Sequence, residues 1–186
     1  RWRLYVGLVI ACIMAEVAWI GGAAALGTAS HFNGLGLMGL IYPVMGLAAV
    51  TLTSLSLAMA PAFWRRRENP LMLSIALGLA LTFVLTVAVA GTMSQNPSHF
   101  VGTPLTGARL PVFGWSAEVG DLRIAHFLAT HAMHVIPLAG LTGSRATVCG
   151  AALAWTALVL WTFARALQGL PRSEERRVGK ECRSRW

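Results

Sequence analysis

The residues that could do chemistry lie in one stretch, residues 114–137, GWSAEVGDLRIAHFLATHAMHVIP. It opens as a polar loop, passes through Asp121 and Arg123, and becomes an apolar segment carrying His126, His131 and His134. On a helix, His126 and His134 fall about 80° apart and His131 about 60° further round, so the three share one sector. Neutral imidazoles there can ligate a transition metal or a haem, relay protons, or complete a hydrogen-bonded network. Such a sector faces protein or water, because polar groups exposed to lipid are costly.

Glu16 is the only charge in residues 4–27. By depth it is the natural partner for His131 or His134, and an intramembrane carboxylate is a functional hypothesis by default. Three readings follow. In the leading one the polar cluster of Glu16, Asp121, Arg123, His126, His131 and His134 is structural or senses an outer ligand. In the second, the chain is a haem- or metal-binding redox component whose candidate ligands are His31, His99, His126 and His131. A six-coordinate haem needs ligands from opposing sides of the iron, and no other helix offers a histidine at the depth of His131. In the third, Glu16 and the histidines serve a proton-coupled carrier, although no internal repeat of the transporter kind is visible. Catalysis has no frame: Ser116 lies near His126 without GxSxG, and P-loop, GxGxxG and HExxH patterns are absent. No catalytic residue is assigned, and a non-enzymatic role is expected.

The elements that must position these residues are membrane helices. Of 186 residues, 56% are hydrophobic and 12% charged, with mean hydropathy +0.64. Soluble domains carry about 25% charged residues, so the composition points to an all-α integral membrane bundle. Residues 1–171 form a single transmembrane domain with helices expected over 4–27, 35–60, 71–93, 124–141 and 148–167. Residues 172–186, RSEERRVGKECRSRW, resemble the translation of a common sequencing adapter and are left out of the fold; a lipid-binding basic tail is the alternative. Without that tail's six basic and three acidic residues the net charge falls from +8 to +5. What remains is a few arginines at helix ends, so a nucleic-acid partner is not expected. The chain begins at Arg1 inside an apolar run and is expected to lack a natural segment there. Cys12 and Cys149 lack CxxC spacing and read as small core residues.

Within the spans, Pro43 is expected to kink the second helix, and Thr51, Thr53, Ser54 and Ser56 to bond back to its backbone. Ser74, Gly78, Thr82 and Thr86 repeat every four residues as a packing seam of the third. Residues 61–70, PAFWRRRENP, carry Arg65, Arg66 and Arg67 beside Trp64, which places this loop in the cytoplasm by the positive-inside rule. The long Gly- and Pro-rich connection 94–122 then lies outside; loops of that length tend to be functional. Asp121 is placed to cap the following helix.

The segments WRRRENP and GWSAEVGDLRIAHFLATHAMHVIPL resemble a group of uncharacterised bacterial multi-pass membrane proteins with a GWS…GDLR…HF…HA…P pattern. The matching residues are Trp115, Asp121, Arg123, His126, Phe127, His131 and Pro137; at the place of His134 such proteins can carry glutamine. The resemblance covers residues 60–140 and implies a bacterial inner-membrane setting without an activity. The expected partners are the lipid bilayer and either a second copy of the chain or another membrane protein.

Overall fold

Where no water competes, an apolar run can satisfy its backbone groups only within a helix or a closed barrel, and this chain takes the helical solution. The computed structural model describes residues 2–31 and 36–169, so residues 172–186 lie outside the described residues. Among the described residues six helices carry nearly all the regular structure: α1 (Trp2–Ala25), α2 (Gly36–Trp64), α3 (Pro70–Ser94), α4 (Leu122–Thr130), α5 (Ala132–Gly140) and α6 (Arg145–Leu167). Four of them, α1, α2, α3 and α6, are long and apolar enough to cross a membrane. Two short strands, β1 (Phe100–Val101) and β2 (Gly120–Asp121), pair antiparallel within the long connection.

The caps explain where the helices begin. Asn69 accepts from the backbone N–H groups of Leu71 and Met72, with Pro70 at the first helical position. Ser144 accepts from Thr147 N–H and starts α6. The helix α2 runs through both Pro43 and Pro61 to Trp64, so the arginine loop is shorter than residues 61–70. The hydroxyls of Thr51, Thr53, Ser54 and Ser56 donate to carbonyls three or four residues earlier, as expected.

The helix α3 is central and packs against α2, α4, α5 and α6, whereas α1 packs on α2. Ser74 and Thr82 are buried, and the seam works as the spacing predicts. A Cβ on Gly78 would lie 3.1 Å from Met133 Cα and 3.2 Å from the Ala132 carbonyl oxygen, and one on Gly140 would strike Ser74 Oγ. Small residues on both sides therefore set the close approach of α3 and α5.

The span expected over residues 124–141 is two helices, not one. They part at His131, whose φ of −91° and ψ of 1° are not helical. Its Nδ1 lies 2.7 Å from the Phe127 carbonyl oxygen, and Thr130 Oγ1 donates to the carbonyls of Phe127 and His126 at 2.9 and 3.1 Å. The ladder bond from His131 N–H to the Phe127 carbonyl survives at 3.2 Å, so these side chains share that carbonyl with it, while Pro137 withholds the N–H that would bond to Met133. Neighbouring helices satisfy the groups at the break. Thr82 Oγ1 on α3 accepts from Met133 N–H at 2.9 Å, and Trp155 Nε1 on α6 donates to the Leu128 carbonyl at 2.9 Å.

The basic ends gather on one side. Trp2, Tyr5, Val6 and Val9 of α1 line a cavity of about 350 Å³ with Leu55, Ala58 and Met59, so the start of α1 lies beside the end of α2. Arg145 pairs with Glu68 at 2.8 Å, which brings the start of α6 to the arginine loop. The long connection and the start of α4 lie at the opposite end.

Candidate functional site

The connection before α4 is built around two carboxylates. Asp121 is 2% exposed and caps α4 by accepting from Arg123 N–H at 3.1 Å. Its carboxylate also meets the Arg123 guanidinium at 2.6 Å and accepts from Ser116 N–H at 2.9 Å. Burial alone would raise its pKa, but these bonds, led by Arg123, hold it below the usual carboxylate range. Arg123 donates onward to the Gly114 carbonyl at 3.0 Å, tying the far side of the loop to the cap. A Cβ on Gly120 would fall on the Ala166 carbonyl, so β2 sits directly against the end of α6.

Glu118 holds the more exposed half of the connection. It accepts from the N–H groups of Leu105 and Ala108, each at 2.6 Å, and from the N–H and hydroxyl of Thr106. The Thr106 hydroxyl first, then the backbone donors, bring its pKa down to about 2. Sequence reasoning missed this residue, because a lone glutamate in a loop carries no spacing signal.

His99 belongs to the same end. Its carbonyl accepts from Leu122 N–H at 3.0 Å and its ring lies 4.1 Å from that of Phe100. Burial first, then the positive charges of Arg123 and Arg109, lower its pKa against the opposing pull of Asp121.

The three histidines expected to share a sector separate into two environments. His126 is half-buried on α4, whereas His131 at the break is half-buried and His134 is exposed. A carbonyl oxygen can only accept, so the His131 Nδ1 beside Phe127 carries a proton, and in the neutral imidazole the lone pair is then on Nε2. The His131 ring stacks on Phe127 at 4.0 Å and lies 5.4 Å from the His134 ring. Above them Phe113 and Trp115 stack at 4.5 Å, and each lies 5.7 Å from Phe127. A ladder of rings therefore descends from the loop to His134. Val135 and Leu138 continue its exposed side, while Ala132, Ile136 and Gly140 point into the bundle. Trp115 and Phe127 were already named in the resemblance, but Phe113 and the stacking of the three rings were missed, since Phe113 lies fourteen residues before Phe127 with no period to link them.

Glu16 lies elsewhere. It belongs to the less exposed stripe Val9, Cys12, Glu16, Trp19 and Ala23, which α1 turns toward α2. Among the described residues no hydrogen bond or ion pair joins Glu16 to any histidine. His31 sits after α1, with Nδ1 2.9 Å from Ser30 Oγ and its ring 5.9 Å from Tyr42. The structure thus brings together Asp121 with Arg123, and His131 with His134, but not the whole set. Among the described residues no three His, Cys, Asp or Glu side chains are placed to hold one metal ion.

No protein-family model, curated protein sequence or solved structure matches this chain.

Proposed function

We propose that this chain is a multi-pass protein of a bacterial inner membrane that binds a ligand on the outward face of α4 and α5. His131 and His134 are the binding residues, and the loop built on Asp121 and Arg123 is their rigid support. The observation that carries this reading is the stripe of Phe127, His131, His134 and Leu138, in which Phe127 and His131 are half-buried and His134 and Leu138 are exposed among the described residues. Imidazoles left toward lipid are costly unless something engages them. The structural reading of the polar cluster fits Asp121 and Arg123, whose bonds are spent on the loop, better than it fits the two histidines.

Five passes follow if α4 and α5 cross together. At about 1.5 Å per residue, the stretch from Leu122 to Gly140 approaches the ~30 Å of a hydrocarbon core. The shared end of Arg65, Arg66, Arg67 and Arg145 then faces the cytoplasm. A haem held between His131 and His134 is disfavoured. Axial imidazoles stand on opposite sides of the iron, whereas these rings are 5.4 Å apart on adjacent turns.

The test is native mass spectrometry of the detergent-purified chain, with metal analysis and an absorption spectrum on the same sample. Retained mass that disappears in His131→Ala, with helix content unchanged, supports the reading. A bare wild-type protein that stays bare in membranes enriched with native lipid extract contradicts it.

A further inference from the structure

Resting on that binding face, the geometry points to a borderline transition-metal ion of the zinc or cobalt(II) class, held by His131 and His134 of two copies of the chain. Three observations converge. The first is the tautomer: Nδ1–H of His131 is bonded to the Phe127 carbonyl at 2.7 Å, leaving Nε2 as the free donor. Metal-ligating histidines carry this type of bond, which orients the ring and raises its basicity.

The second is the spacing. With a metal–nitrogen bond of about 2.0–2.1 Å, a bound imidazole has its ring centre about 3.2 Å from the metal. Two such rings at the tetrahedral angle have centres about 5.2 Å apart. The His131 and His134 centres are 5.4 Å apart, tilted by 49°. That separation matches two imidazoles bound to one ion.

The third is the ligand count. Among the described residues one copy offers no third His, Cys, Asp or Glu to this pair, while structural zinc sites close with four ligands. A twofold axis beside the stripe supplies the same pair again, giving a closed set of four imidazoles. It also covers Val135 and Leu138 with their counterparts and takes the charged centre out of lipid. The site is incomplete without the second copy.

Cobalt(II) added to the chelator-stripped full chain in detergent tests the assignment. The expected result is the intense visible absorption of tetrahedral cobalt, saturating at one ion per two chains, with a shift from monomer to dimer on the same titration. His134→Gln, which keeps a polar side chain and removes a ligand, should weaken cobalt binding more than about tenfold. His131→Ala should do the same, while His99→Ala should bind as wild type. One ion per chain without dimerisation, or uptake that survives in the His131→Ala/His134→Gln double variant, overturns the proposal. If cobalt does not bind but either substitution displaces another retained ligand, the metal assignment fails and the binding face stands. If neither happens in well-folded protein, both fail.

Discussion

Asp121 shows how one side chain can fix the geometry of a whole loop. Its oxygens serve a helix cap, a buried ion pair and a backbone donor from Ser116 at once. Asp121→Ala leaves the Ser116 and Arg123 N–H groups without a partner and the partly exposed guanidinium with only the Gly114 carbonyl, so it should cost about 2–4 kcal/mol in denaturant unfolding. Asp121→Asn should cost less. Glu118 makes a prediction in pH. Its folded pKa of about 2 lies below the ordinary 4.5. Its contribution to loop order is therefore full above pH 4.5 and fades as pH falls toward 2. Trp115 fluorescence should follow that transition, and Glu118→Gln should remove it. The capping role of Asp121 was legible in the sequence because a carboxylate preceding an apolar helix has a physical use there. Its bond to Ser116 was not, since a loop amide five residues earlier carries no spacing signal for it.

At the scale of elements, the break between α4 and α5 is held by its neighbours. Thr82→Val removes the acceptor for Met133 N–H inside the bundle and should cost about 1–3 kcal/mol, while Thr82→Ser should be close to neutral. Gly120→Ala should be among the most damaging single changes, because its methyl would meet the Ala166 backbone rather than a movable side chain. Protease protection of the long connection reads out both. The seam of Ser74, Gly78, Thr82 and Thr86 was legible from its four-residue period. The break at His131 was not: histidine carries no strong breaking signal, and the turn of Met133 N–H toward Thr82 appears only once α3 is packed beside it.

For the whole molecule, helix existence was legible and helix order was not. The four long spans are apolar on every side, so their sequences do not say which faces meet. Equal depth suggested Glu16 for the histidines, but α1 packs on α2 and turns Glu16 that way. The proposed orientation can be checked with single cysteines in a background free of Cys12, Cys149 and Cys182. Leu105→Cys should react with an impermeant maleimide from the periplasmic side, and Arg66→Cys only after the membrane is opened. The central claim, that the His131–His134 face binds a ligand through the free nitrogen of His131, is tested most directly by the imidazole ¹⁵N spectrum of the protein before and after ligand stripping. The account predicts a His131 protonated at Nδ1, with an Nε2 resonance that moves when the ligand is removed. An Nε2-protonated His131, or a resonance indifferent to stripping, would contradict it.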